Sequence, residues 1–457
     1  MPEIRVLSPC GVIGSGFPEG SLERGLSLKP HVIACDGGST DNGPHSLGTG
    51  APNFSRAATK RDLRLLLRGG RRLGIPVIVG SCGTAGGDAG LAWMRDICLE
   101  IAREDGLAFP LALVHSEQDK AYLRRRLREG CIRPLDPAPP LDEGVLDRSA
   151  HIVGMMGDEP IAKCLDGGAE VVLAGRASDT SLFACHPVRL GADRGLAWHA
   201  AKILECGAAC AVSRPRPDGV FCWLRDDHFV VEPLNPGMRC SPQSVASHTL
   251  YENTDPFHIT EPAGVLDTSR ATYAAEDDRA VRVQGSVFRP AETYTVKLEG
   301  AELAGYQSVI IGGVRDPYIL RRLDAWLDGI REGFAGRAQE ILGVPDPQYR
   351  LFIRVFGRDA VMGPLEPRAG EIPHEAGLLF EVTAPAQETA NALAATLAHF
   401  ALHYPIPEWS GLISSLAFPF TPAEIEKGPV FRFNLNHVVV PDGPCEMFPA
   451  ETLEVKP

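Results

Sequence analysis

Six short apolar segments, each closed by a glycine-rich or polar loop, limit what this chain can fold into more than any other feature. They are Ile4–Leu7, Val32–Cys35, Pro76–Gly80, Leu111–Val114, Ile152–Gly154 and Val171–Ala174. Each is nearly all apolar, as strands buried on both faces of a parallel sheet are. Helix-compatible stretches at Ser55–Leu73, Gly90–Asp105, Gln118–Glu129 and Glu159–Gly167 lie between them. The alternation predicts an α/β fold, with a mostly parallel sheet and flanking helices in the N-terminal part. In such sheets ligands sit beyond the carboxyl ends of the strands, so the loops there are the first place to look for chemistry.

From about residue 212 the pattern changes. Strands Val220–Leu224, His228–Val231 and Ala280–Val283, with a helix near Ser241–Glu252, predict an antiparallel addition over 212–290 to a first domain of residues 1–290. Beyond it, strands Tyr294–Glu299 and Ser308–Gly312, a helix Pro317–Leu342, strands Arg350–Phe356 and Gly377–Thr383, and a helix Gln387–His403 follow. That order predicts a C-terminal α+β domain over 291–457, of the ferredoxin-like split βαβ kind.

Composition narrows the function classes. With 45 Lys+Arg against 58 Asp+Glu, the formal charge of −13 argues against nucleic acid and against an anionic membrane surface as partners. No apolar run approaches the roughly 20 residues of a membrane span, and the N-terminal stretch does not read as a secretory signal. Twelve scattered cysteines, mostly in apolar contexts, then read as reduced thiols of a cytoplasmic protein.

The strand-end loops hold the candidate site. Asp36-Gly37-Gly38-Ser39-Thr40-Asp41, Gly80-Ser81-Cys82-Gly83-Thr84-Ala85-Gly86-Gly87-Asp88, His115-Ser116-Glu117-Gln118, Gly154-Met155-Met156-Gly157 and Gly175-Arg176-Ala177-Ser178-Asp179 each follow a predicted strand. Backbone N–H groups and hydroxyls at Gly37, Ser39, Ser81, Gly83, Thr84, Gly86 and Gly87 could cradle a carboxylate or phosphate, aided by a helix beginning near Gly90. A tight turn with no ligand explains the same residues. The loop is neither a Walker loop nor a dinucleotide fingerprint, and no nicotinamide or flavin motif is present. Arg176 suits bidentate carboxylate binding with Ser178 beside it, or else a structural pair with Asp179.

For proton transfer the candidates are His115, Glu117, Lys202, Asp227 and His228. The bland alternatives are a surface helix for His199 and Lys202, and a hairpin turn for Arg225–His228. His248 with Glu252, at i,i+4 spacing, is a further acid–base pair. If a divalent metal assists, Asp36, Asp41, Asp88 and Asp179 are the carboxylates placed to hold it. His399 with His403 lacks a third ligand, and Cys206 with Cys210 lacks a second cysteine pair. Cys82 lies in the glycine loop beside a possible helix N-terminus, which would lower its pKa, and is the thiol to label first. The arginines of Ser55–Leu73 make a basic face, by default a solvated one.

Taken together, ACDGGSTDNGP (34–44), TKRDLRLLLRG (59–69), IPVIVGSCGTAGGD (75–88), VHSEQDKAYL (114–123), the long run 170–208, LRDDHFVVEPLNPGMRC (224–240), SVASHTLYEN (244–253), 294–317 and 416–439 resemble the acyclic terpene utilisation AtuA-type family. Cys82 and Cys185-His186 depart from its usual pattern, which argues against Cys82 as an essential nucleophile. The resemblance implies a role in the catabolism of branched carboxylic acids carried as coenzyme A thioesters, and a small companion protein. It points to a hydro-lyase of hydratase/dehydratase type acting on a small hydroxy- or unsaturated carboxylic acid or its CoA thioester, in a homo-oligomer. The alternative is a non-catalytic acyl- or carboxylate-binding subunit. Hydrolase or ligase chemistry ranks last, for want of a Gly-x-Ser-x-Gly elbow and a nucleotide loop.

Overall fold

The structure is a computed structural model and describes residues 3–405 and 414–457. The chain divides into two compact units, Met1–Glu302 with Arg432–Pro457, and Leu303–Phe431. The sequence pattern predicts a boundary near 290, with everything after it in the second domain. The chain instead returns to the first unit, because Ala450–Val455 pairs antiparallel with Phe109–Val114 at the edge of its main sheet.

That sheet has ten strands in the order Thr272–Ala275, Val281–Gln284, Phe229–Pro233, Val220–Leu224, Ile4–Ser8, Val32–Asp36, Val77–Gly80, Val171–Ala174, Phe109–Val114, Ala450–Val455. The five from Ile4–Ser8 to Phe109–Val114 are parallel, and antiparallel strands flank them on both sides. The sheet is therefore mixed rather than mostly parallel. One expected member is absent from it: Ser149–Met155 pairs antiparallel with Lys297–Glu302. An apolar tripeptide marks burial without naming the neighbour, so the sequence could not assign that partner.

Alternate strand residues feed two cores. Val6, Val32, Ala34, Ile78 and Val172 pack on one face with Leu182, Phe183, Trp198 and Ile203 of the helices Asp179–Arg189 and Arg194–Leu204. Leu7, Ile33, Val77 and Val79 face the other way, against Leu63, Leu66 and Leu67 of Arg56–Leu73 and Met94, Ile97 and Ile101 of Asp88–Asp105. Ser55 caps Arg56–Leu73 by accepting from the Ala58 N–H, and Gly74 ends it in the left-handed region. The expected basic face of that helix is neutralised by acids: Arg64 pairs with Glu104, Arg68 with Asp105 and Arg72 with Glu23. A three-stranded antiparallel sheet of His258–Glu261, Gly264–Asp267 and Val287–Pro290 completes the predicted addition, and the sequence reading had missed it.

In the second unit the predicted strands Tyr294–Glu299 and Ser308–Gly312 belong to one strand, Val296–Val314, whose residues from Leu303 lie in this unit. The predicted helix Pro317–Leu342 is two, Pro317–Arg321 and Leu323–Leu342, divided at Arg322. Arg350–Phe356, Ala376–Ala384 and the helix Gln387–Leu402 follow in the expected order. Arg350–Phe356 pairs with Ala376–Ala384, which pairs with Tyr306–Val314. Ile310, Phe380, Ile353 and Val355 meet Trp326, Ile330, Leu393 and Leu397 in the core of this unit. Among the described residues no helix is long and apolar enough to cross a membrane.

Candidate active site

The carboxyl ends of the central strands open onto a cavity of about 520 Å³ in the first unit. Arg176, Ser178 and Asp179 enter it from the loop after Val171–Ala174, and Asp41 from the loop after Val32–Asp36. Lys202 and Glu205 come from the end of Arg194–Leu204, and Glu252 and Asn253 from the segment after Pro242–Thr249. Glu261 ends the strand His258–Glu261, and Met155 and Ile259 supply apolar wall. The Gly154–Gly157 loop reaches the site without belonging to the main sheet: Met156 bridges Ala177, and the Ser178 N–H donates to the Met156 carbonyl.

Arg176 organises the floor. Its Nε donates to Glu299 at 2.9 Å, and its Nη1 reaches Ser81 Oγ at 3.3 Å and Asp179 Oδ1 at 3.4 Å. Lys297 holds the second oxygen of Glu299 at 2.9 Å. Burial works against the guanidinium charge, but Glu299 and Asp179 outweigh it and keep Arg176 above the ordinary arginine value. Burial likewise opposes the Glu299 charge, yet Arg176 and Lys297 bring that carboxyl down to about 2. Arg176 lines the cavity, and its guanidinium is bound by the chain's own carboxylates, Asp179 of the structural alternative among them.

The other acids behave differently. Burial raises Asp179 to about 6, opposed by Arg176, and its carboxyl opens onto the cavity. Burial raises Glu261 to about 7 against the pull of hydrogen bonds from Ser178, at 2.6 Å, and from Thr180. Glu205 sits 2.6 Å from Lys202, but burial, aided by Asp179 and Glu261, takes it to about 8. Asp36 is pushed well up by burial and by Asp179. Lys202 itself stays charged: burial disfavours the ammonium, and Glu205 more than restores it. The cavity therefore sets carboxyl groups that take up and release protons near neutrality beside one lysine and one arginine.

Several expected residues lie elsewhere. Asp227 and His228, hydrogen-bonded at 2.6 Å, occupy the turn between Val220–Leu224 and Phe229–Pro233. Since Leu224 pairs with Ile4 at the start of Ile4–Ser8, that turn is at the amino-terminal edge of the sheet, away from the cavity. The pair thus occupies the hairpin turn that the alternative expectation gave it. His199 is fully buried, between Ser286 at 2.5 Å and Thr249 at 3.0 Å, and burial lowers it to about 3, so it does not accompany Lys202 into the cavity. Glu252 lies beyond the end of the helix that carries His248, in a left-handed conformation, so the two do not share a helix face. Cys82 is buried and its thiol is pushed up by burial and by Asp36, which makes it a poor nucleophile.

His115, Glu117 and Asp88 form a second group. His115 Nδ1 meets Asp88 at 2.7 Å, and Glu117 meets His151 Nδ1 at 2.5 Å. The other Glu117 oxygen accepts from the Asp88 N–H at 2.9 Å, at the start of Asp88–Asp105. The anion at this helix terminus is thus the chain's own carboxylate, not an external ligand. Burial would raise Glu117, but the His151 ring and the Asp88 N–H hold it below the usual carboxylate range.

The glycine loop serves packing. A Cβ on Gly37 would lie 2.5 Å from the Gly80 carbonyl, on Gly83 2.2 Å from Gly90 Cα, and on Gly86 2.2 Å from the Arg176 nitrogen. Gly87 caps the helix Asp88–Asp105, and Thr84 Oγ1 accepts from the Asn53 N–H. Ser81, which contacts Arg176, and Thr84 keep positive φ of 44° and 81°, a locally strained backbone. Ser39 is bound to Asp41 at 2.8 Å. These loops hold the site's walls together more than they offer donors to a ligand.

Of the four aspartates proposed for a metal, Asp41 and Asp179 line the cavity and Asp36 lies close enough to Asp179 to feel its charge, whereas Asp88 stands apart. Asp88 belongs to the His115 group, and the Gly37 N–H binds Asp36 at 2.8 Å. Among the described residues no group of three or more His, Cys, Asp or Glu is arranged to hold a metal ion, and this includes His399 and His403.

The sequence named Arg176, Ser178, Asp41, Asp179, Lys202 and Glu252 of the cavity, and missed Glu261 in it and Glu299 and Lys297 behind Arg176. Glu261 ends a polar strand, His258-Ile-Thr-Glu, and Glu299 follows Lys297 in Val296-Lys-Leu-Glu, so neither carries a local signal that could have flagged it.

A family model described as Acyclic terpene utilisation family protein AtuA matches residues 58–212 and 226–408. No curated protein and no solved structure matches the chain.

Proposed function

The chain belongs to the acyclic terpene utilisation family AtuA, a family of catabolic role, and from that premise we propose that it is a carbon–oxygen lyase of hydratase/dehydratase type. Its substrate is a small hydroxy- or unsaturated carboxylic acid or the thioester of one. The observation that carries this reading is the pair Glu205 and Glu261, two buried carboxyls near 8 and 7 lining one cavity with Lys202 and Arg176.

Dehydration needs a base to take the proton α to the acyl carbonyl and an acid to protonate the departing hydroxyl. A carboxyl near neutrality serves either role according to its protonation state, and two in one cavity supply both. As the Cα–H and C–O bonds break, the double bond forms and water leaves, and one proton passes through each carboxyl. Arg176 and Lys202 supply positive charge for the oxygen on which negative charge develops. The reverse sequence hydrates the double bond.

The test is solvent exchange. The purified chain, alone and with a small companion protein encoded beside it, is incubated with hydroxy- and enoyl-thioesters and the free acids in deuterated water. Deuterium at the α carbon and interconversion of the two forms are expected, with both lost in Glu205→Gln and Glu261→Gln. Binding without exchange or turnover, even with the companion, would instead favour the non-catalytic acyl-binding subunit.

A further inference from the structure

We propose that the strand Arg350–Phe356 is a self-association surface, through which two copies of this chain pair antiparallel about a two-fold axis at Ile353. One edge of this strand pairs with Ala376–Ala384 at seven positions. It is the end strand of its sheet, and among the described residues no strand pairs with the other edge. An open edge of this length, without proline, glycine or bulge, is a template for another strand.

The occupant follows from the sequence of the strand, Arg350-Leu-Phe-Ile-Arg-Val-Phe356. Paired with itself about Ile353, it sets Arg350 opposite the partner's Phe356 and Phe352 opposite the partner's Arg354. Leu351 meets the partner's Val355, and Ile353 meets its own copy. No arginine faces an arginine. On the helix-covered face every cross-strand pair is aliphatic, continuing the core in which Ile353 and Val355 are buried. On the open face every pair is an arginine with an aromatic ring, a contact the strand already makes internally, with Arg354 4.8 Å over the Phe352 ring. An unrelated partner has no reason to match this pattern, whereas a second copy matches it by symmetry.

The surroundings fit an interface. Phe352 and Phe356 are 54% and 48% exposed, and the loop after them exposes Val361 at 87% and Leu365 at 77%. Of the nineteen large apolar side chains exposed among the described residues, eleven fall in Leu303–Phe431. Such concentration on the smaller unit marks a contact surface rather than the scattered exposure of a monomer.

Sedimentation equilibrium of the full chain tests this. The wild type should show twice the monomer mass. Phe352→Arg with Phe356→Arg, which sets arginine against arginine across the axis, should halve it. Phe352→Glu, which meets the partner's Arg354, should leave it unchanged. Both positions are exposed, and circular dichroism checks that each variant is folded. A monomeric wild type overturns the proposal, as does a dimer that survives the double arginine variant or one lost equally in the glutamate variant.

Discussion

Glu205 lies 2.6 Å from Lys202, and both side chains are almost wholly enclosed at the wall of the cavity. The lysine does not make the glutamate a strong acid, because burial and the facing carboxyls of Asp179 and Glu261 outweigh one cation. In the folded protein Glu205 therefore binds its proton more tightly than in the unfolded chain. Between about 4.5, the ordinary value, and about 8, the native state holds more protons, so its stability falls as pH rises through that window. Denaturant midpoints at about pH 5 and about pH 8 should show this fall, and Glu205→Gln should flatten it. An unchanged slope in the variant would remove Glu205 from the account.

In the proposed reaction Glu261 is the partner acid–base group of Glu205. Replacing its carboxyl with an amide keeps the shape and leaves the hydroxyls of Ser178 and Thr180 an acceptor. Glu261→Gln should lower kcat by about 10²–10⁴-fold, with a smaller change in KM and little change in melting temperature. Steady-state kinetics on the thioester that proves active would check this, and kcat near the wild-type value would dismiss the role.

The Glu117–His151 pair makes a separate, non-catalytic prediction. Its hydrogen bond with Glu117 raises His151 above its ordinary 6.5, against the effect of burial. The folded state thus favours the imidazolium; the stabilisation is complete below 6.5 and fades as pH rises through the raised value. Glu117→Gln should return the His151 titration, followed by NMR, toward 6.5 and cost about 1 kcal/mol by weakening the cap of Asp88–Asp105.

Gly86 and Gly16 share a left-handed backbone, with φ of 72° and 78°, but not the same surroundings. At Gly16 a Cβ meets nothing within 4 Å, so Gly16→Ala should cost about 1–2 kcal/mol, the conformational term alone. At Gly86 the Cβ would sit 2.2 Å from the Arg176 nitrogen, and Gly86→Ala should cost several-fold more and disturb the cavity. Equal losses in thermal denaturation would contradict the packing role assigned to the glycine loop.

Much of the architecture was legible because period and punctuation are local. Val32–Asp36 and Val77–Gly80 read as buried strands from apolar runs that lead into glycine-rich loops, and Arg56–Leu73 from its stripe between Ser55 and Gly74. Sheet neighbours were not legible. Ile152–Gly154 has the same apolar signature as the central strands, yet Ser149–Met155 joins Lys297–Glu302. Charged residues were the least legible of all: Asp227–His228 and Lys202–Glu205 look equally chemical in sequence, and only their places in the sheet separate a hairpin tip from a cavity wall.

By itself the sequence determined that parallel strands would end in polar loops at one edge, and that Arg176, Ser178 and Asp179 would stand there. Backbone propensity and hydrophobic period act over a few residues, and that was enough. The tertiary structure decided which charges meet. Glu261 and Glu299 reach the site from strands far along the chain, and burial and mutual repulsion then set which carboxyls keep their protons. Those effects depend on distance in space, which no local pattern encodes.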